Sequence, residues 1–158
     1  MVLVAIQSVH FPDNYVSLDG RGVDKFLPAG GGKSFVQTYI GTWETYTLVE
    51  NSDGTVSFKS TVFNNVFLRL EAKGVTPGHL LPPGGGVVNA QFTAQSLEKF
   101  KIHKKDDPAG KYQGVVGIES AATPGTYLRL EGKSGETKVN VQGVFKSLEE
   151  FKILVVGK

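Results

Sequence analysis

The chain has 158 residues, 40% apolar and 20% charged, which suits one globular domain and excludes a disordered or fibrous chain. A net charge of +2 gives no electrostatic case for nucleic acid, and no apolar run approaches the ~20 residues a membrane-spanning helix needs. Cysteine is absent, which removes disulfides, thiolate metal sites and cysteine nucleophiles; with no signal-like N-terminus and no Asn-x-Ser/Thr acceptor, the expectation is a cytoplasmic protein.

In chain order, Val4-Ala5-Ile6-Gln7-Ser8 alternates apolar with small or polar residues and predicts a half-buried strand. Tyr15-Val16-Ser17-Leu18-Asp19 predicts a second, and Leu27-Pro28-Ala29-Gly30-Gly31-Gly32 a long loop. Thr42 to Val49, rich in threonine and aromatics, reads as a strand, and Asn51-Ser52-Asp53-Gly54 as a turn. The same order then returns. Val56-Ser57-Phe58-Lys59-Ser60 alternates again, and in Phe67-Leu68-Arg69-Leu70-Glu71 the two leucines share one face while Arg69 and Glu71 share the other. A second Pro/Gly loop, Leu81-Pro82-Pro83-Gly84-Gly85-Gly86, precedes Leu97-Glu98-Lys99-Phe100-Lys101-Ile102, and Asp106-Asp107-Pro108-Ala109-Gly110 makes the next turn.

The third pass runs through Val116-Gly117-Ile118-Glu119-Ser120, Tyr127-Leu128-Arg129-Leu130-Glu131 and Leu148-Glu149-Glu150-Phe151-Lys152-Ile153. Its loop is only the short Lys133-Ser134-Gly135-Glu136-Thr137. Taken alone, Ser147-Leu148-Glu149-Glu150 matches a helix capping box. Its equivalence to Thr42–Val49 favours a strand.

Three signatures in fixed order, three times over, mean internal three-fold symmetry, with copies at about 3–52, 53–110 and 111–158 in a single domain 1–158. A copy of four short strands cannot bury its apolar face alone, so the copies must close on a shared core. Leu68, Leu70, Phe100, Ile102, Leu128, Leu130, Phe151 and Ile153 are the residues expected there. Three repeats of four strands describe an all-β trefoil, a six-stranded barrel capped by three hairpins.

Within that fold the chain resembles the fascin-like family. The resemblance lies in Tyr127-Leu128-Arg129-Leu130-Glu131-Gly132 followed by Lys138-Val139-Asn140-Val141-Gln142, in Val88-Asn89-Ala90-Gln91, and in Gly41-Thr42-Trp43-Glu44-Thr45-Tyr46-Thr47-Leu48-Val49. It implies fold more than function, because trefoils host lectins, actin-binding proteins, growth factors and protease inhibitors. Ser8-Val9-His10-Phe11-Pro12-Asp13-Asn14-Tyr15 and Pro124-Gly125-Thr126-Tyr127-Leu128-Arg129 are also similar to trefoil arabinose-binding modules. Those modules carry a histidine after the Tyr-Leu-Arg phrase, where this chain has Leu70 and Leu130, so their sugar site does not carry over.

No catalytic set accompanies the repeats. Gly32-Lys33-Ser34 lacks the first glycine of a phosphate loop, since Leu27 stands there. His10, His79 and His103 are scattered, so neither a metal nor another cofactor is expected. Glu149 and Glu150 are adjacent, which on a strand sends them to opposite faces, and they read as surface residues.

The expected function is therefore non-enzymatic: lectin-like binding of a carbohydrate or glycoconjugate through loops of copies one and two. Trp43 is the candidate stacking platform, although it aligns with Leu97 and Leu148 and for that reason reads more readily as a filler of the barrel floor. His79, Asn89, Gln91 and Asn140 are the candidate polar partners; Asn89 and Asn140, with Gln37, Gln91 and Gln142, sit at matching positions, and their amides suit sugar hydroxyls or backbone capping. The alternatives are fascin-like actin binding through a basic face of Lys99, Lys101 and Lys105, partly offset by Asp106 and Asp107, or a protease inhibitor displayed on the Pro/Gly loops.

Overall fold

A computed structural model describes residues 1–105, 114–132 and 137–157. Copy one supplies β1 (Val2–Ser8), β2 (Tyr15–Asp19), β3 (Lys33–Gln37) and β4 (Tyr46–Glu50). Copy two supplies β5 (Val56–Ser60), β6 (Val66–Glu71), β7 (Val87–Phe92) and β8 (Phe100–Lys104). Copy three supplies β9 (Val116–Ser120), β10 (Tyr127–Glu131), β11 (Lys138–Gln142) and β12 (Phe151–Gly157). The expected copy boundary at Asp106–Gly110 and residues 133–136 of the third loop lie outside the described residues.

Antiparallel pairing runs β1–β4–β5–β8–β9–β12 and returns from β12 to β1, which closes a six-stranded barrel. The remaining strands form three hairpins, β2–β3, β6–β7 and β10–β11, each tied to the barrel through its first strand. This is a β-trefoil. Its hairpin registers align the copies residue by residue: Ser17 faces Phe35, Arg69 faces Asn89, and Arg129 faces Asn140.

The core follows from the alternation. Leu68, Leu70, Phe100, Leu128, Leu130, Phe151 and Ile153 are buried, and Ile102 packs half-buried against them. Tyr46, Phe58 and Phe100 form an aromatic row with centroids 6.0 and 5.8 Å apart. The Tyr46 hydroxyl donates to the Val16 carbonyl at 2.9 Å, and burial pushes its phenol well above the ordinary value.

Two expectations need correction. The segment from Thr42 does not start as a strand: Thr42–Glu44, Ser96–Glu98 and Ser147–Glu149 are single 3-10 turns, and strand begins after each. The capping signal was thus physical, but one residue out of register. Glu44, Glu98 and Glu149 each reach back to accept the N–H three residues earlier, of Gly41, Gln95 and Lys146, all at 2.8 Å. Glu149 is accordingly buried rather than a surface residue, because its carboxylate closes the turn from inside. The face of the hairpins opposite the leucines is covered as well, since Arg69 is only 1% exposed and Arg129 5%. Something covers that face, and what covers it locates the site.

Candidate functional site

The Gly-rich loops lie on the third strand of the following copy. The Leu27 N–H donates to Gln91 Oε1 at 3.0 Å, and Gln91 Nε2 donates to the Leu27 carbonyl at 2.6 Å. Gly31 and Ala90 exchange two backbone bonds of 2.8 Å, and Asn89 Nδ2 donates to the Ala29 carbonyl at 3.0 Å. One copy along, the pattern repeats. Gln142 holds both backbone groups of Leu81 at 2.8 Å, Gly85 pairs with Val141, and Asn140 Nδ2 donates to the Pro83 carbonyl at 3.0 Å. Gly30 must be glycine: its φ is +68°, and a Cβ there would lie 2.7 Å from Asn89 Oδ1.

Beneath each loop an arginine is sealed from water. Arg69 Nη1 donates to Asn89 Oδ1 at 3.2 Å, Nη2 stands 3.4 Å from Glu71, and Nε is 4.0 Å from the buried Glu98 carboxylate. Arg129 repeats this with Asn140 and Glu131, both at 3.2 Å. Burial pushes the carboxyls of Glu98 and Glu149 above their ordinary value, although a backbone N–H and the arginine oppose the shift.

Copy one keeps the glutamine and the turn-closing glutamate, as Gln37 and Glu44, and departs at the other positions. Ser17 replaces the arginine and donates to Glu44 Oε2 at 2.5 Å, so both Glu44 oxygens are engaged. Phe35 replaces the asparagine, and Trp43 replaces Leu97 and Leu148. The two rings meet edge to face at 6.3 Å, and Phe63 backs the indole at 5.9 Å. The Arg21 guanidinium sits 5.2 Å from the indole centroid and is itself gripped by Asp19 at 2.7 Å, which holds the Asp19 carboxyl below its ordinary value.

The result is an open groove of about 300 Å³, lined by Phe35, Gln37, Tyr39, Gly41, Thr42 and Trp43 with Glu44 at its floor. Its counterpart in copy two, bounded by Gln91, Leu97 and Glu98 and roofed by Phe26 and Pro28 of the incoming loop, holds only about 80 Å³. Sequence explains the difference. The copy-three connection, Gly132 to Thr137, contains no Leu-Pro-x-Gly-Gly segment to lay across β3.

The residues singled out from sequence do not converge. Trp43 is half-buried and lines the groove instead of filling the barrel floor. Asn89, Gln91 and Asn140 are engaged with the loops and Arg69 or Arg129, so they do not join Trp43. His79 is exposed on the copy-two loop, whose Gly78 N–H donates to the Gly143 carbonyl at 2.7 Å, and belongs to the boundary with copy three.

On the β8 face Lys101 is exposed, Lys99 lies 3.3 Å from Asp53, and Lys105 lies 2.5 Å from Glu150. Hydrogen bonds from Thr55, with help from Lys99, hold the Asp53 carboxyl at about 2. His103 packs edge-on against Phe145 and Tyr127, at 4.8 and 5.7 Å. The missed groove residues Phe35, Tyr39 and Glu44 left one signal: Phe35 stands where the other copies have asparagine.

Among the described residues no group of three His, Asp or Glu side chains is placed to hold a metal ion, and no helix is long and apolar enough to cross a membrane. No protein-family model and no curated protein sequence matches the chain. Solved structures do match it in fold. SeviL, bound to the asialo-GM1 saccharide, aligns over 99% of both chains with TM-score 0.65 and 11% identity. Polyporus squamosus lectin, bound to Neu5Aca2-6Galb1-4GlcNAc, aligns over 96% of this chain and 48% of its own with TM-score 0.64 and 14% identity. An endo-β-galactosidase from Clostridium perfringens aligns over 99% of this chain but 33% of its own, with TM-score 0.69 and 10% identity. Such identities establish the trefoil fold and carry no ligand with them.

Proposed function

We propose that the protein is a non-catalytic carbohydrate-binding protein whose principal site is the copy-one groove. The observation that carries this reading is the half-buried Trp43, set beside Phe35 and Tyr39, in the one hairpin mouth that no Leu-Pro loop crosses among the described residues. Aromatic faces suit the C–H faces of pyranose rings, and Gln37, Thr42 and the exposed Arg21 supply polar groups around them. Glycoside hydrolysis needs two carboxyl groups flanking the scissile bond. Here Glu44 is the single carboxylate among the described groove residues, and both its oxygens are engaged in closing the turn. Two of the fold relatives hold saccharides, which supports the same class of ligand. The β8 lysines lend the actin reading less support, since Lys99 and Lys105 already face carboxylates.

Trp43 is the only tryptophan, so tryptophan emission, excited where tyrosine does not absorb, reports on the groove alone. Binding glycans should change that emission saturably, and Trp43→Ala should lose binding to the same glycans on an array. Undiminished array binding by Trp43→Ala would refute the assignment.

A further inference from the structure

The two closed copies show what the open one is equipped to recognise. We infer that the copy-one groove selects sugars bearing a 2-acetamido group, with Gln37 as the residue that reads it; the inference rests on the carbohydrate reading above. In all three copies the glutamine at the end of the hairpin strand is oriented by the same clip. Its Oε1 accepts the N–H of the next residue, Thr38, Phe92 or Gly143, each at 2.9 Å. That contact fixes the amide plane and leaves one acceptor site on Oε1 and the Nε2 donors for a partner.

In copies two and three the partner is a leucine residue. Its N–H goes to Oε1 and its carbonyl takes Nε2, at 3.0 and 2.6 Å for Gln91 and 2.8 Å for both bonds of Gln142. The group recognised is therefore a secondary amide N–H with an oxygen three bonds from its nitrogen. An N-acetylhexosamine carries the same fragment: acetyl carbon, N–H, C2, C3 and O3 follow in the order of Phe26 carbonyl, Leu27 N–H, Cα, carbonyl carbon and oxygen. Gln37 lines the groove, and among the described residues no other group takes its Nε2.

Why a sugar and not a peptide resembling the loops? The loops also need an asparagine at the third-strand position, and Gly30 already approaches Asn89 so closely that a Cβ would lie 2.7 Å from it. Copy one has Phe35 there, which is bulkier and offers no Nδ2 donor, so a chain on the loop's path loses the bond that Asn89 gives Ala29. The amide clip is kept and the rest of the loop seat is replaced by an aromatic wall, which fits the C–H face of a pyranose. A plain hexose presents only a rotatable hydroxyl at C2 and lacks the amide.

The test is an NMR titration of the full chain with N-acetylglucosamine, N-acetylgalactosamine, glucose and galactose, following the Gln37 side-chain amide and the Trp43 indole. The acetamido sugars should bind roughly tenfold more tightly than their parents, the worth of one neutral hydrogen bond. Gln37→Ala should bring that ratio to about one while the Trp43 indole still responds. Gln37→Glu, which keeps the size and an Oε1 acceptor for the acetamido N–H but loses the Nε2 donor to O3, should weaken acetamido and parent sugars alike and keep the preference. Equal binding of acetamido and parent sugars, or a preference that survives Gln37→Ala, overturns the inference and leaves the carbohydrate reading standing. A Trp43 indole silent to every sugar overturns both. Tighter binding of acetyl-Phe-Leu-Pro-Ala-Gly-Gly-amide at the same resonances also overturns it and gives the groove to a peptide partner.

Discussion

Copies two and three close the mouth of their hairpin with a loop from the preceding copy, whereas over copy one, built from the same four strands, no such loop lies among the described residues. The closed mouths share a polar solution. An arginine and a turn-closing glutamate are buried beneath a half-buried asparagine, and the loop above them is held by the asparagine amide and by a glutamine. The open mouth keeps the glutamate and the glutamine but exchanges arginine for Ser17, asparagine for Phe35 and leucine for Trp43. A buried arginine is tolerable only where its neighbours hydrogen-bond it and something seals it. Where no Leu-Pro loop crosses among the described residues, a short hydroxyl on Glu44 and an aromatic wall suit the half-exposed setting better. Symmetry makes the barrel, and its local breaking makes a groove.

The largest effect expected from this difference is on the sealed arginine. Arg69→Ala leaves Glu98 buried without its cation and Asn89 Oδ1 without its donor, and should cost about 3–5 kcal/mol in chemical unfolding, while Ser17→Ala should cost about 1–3 kcal/mol. Equal losses would break the comparison. Leu130→Ala should cost about 2–5 kcal/mol, with Leu70→Ala and Leu18→Ala alongside it, because the barrel beneath the mouths is symmetric. A loss below about 0.5 kcal/mol at Leu130 would put it on the surface and undo the strand assignment.

Next in size are the two glutamines. Gln91→Ala strands both backbone groups of Leu27 and should cost about 1–3 kcal/mol, whereas Gln37→Ala should cost under about 0.5 kcal/mol. The smallest effect is on pH dependence. Burial raises Glu98 and Glu149 above the ordinary value of 4.5, so the folded state binds more protons than the unfolded chain just above that pH. Stability should therefore fall as pH rises from 4.5 through the raised values, and the double variant Glu98→Gln, Glu149→Gln should flatten that slope. An unchanged slope would mean that neither carboxyl is perturbed.

Much of the fold was legible because the repeats report it directly. Phe67–Glu71 and Tyr127–Glu131 showed both the strand and its apolar face. What Arg69 and Arg129 face was not legible, since alternation separates two faces without saying whether water or another segment covers the second. The cover comes from a loop one copy away, paired through Gly31 and Ala90. The turn at Thr42–Glu44 was hidden by threonine and aromatic residues of high strand propensity, yet Glu44, Glu98 and Glu149 recur at one place in each copy and carry the turn. Trp43 was visible as the only tryptophan. Its exposure depended on what copy three's connection does not contain.

The central claim is that the copy-one groove is where ligand binds and that its counterparts are closed by the chain itself. A crystal structure of the complex with the tightest-binding glycan from an array tests it most directly. The expected result is one sugar ring against Trp43 and Phe35, between Gln37 and Tyr39, with Leu27 and Leu81 still clamped on Gln91 and Gln142. A glycan seated instead on the Pro/Gly loops, or along the β8 face of Lys99, Lys101 and Lys105 with Trp43 untouched, would contradict it.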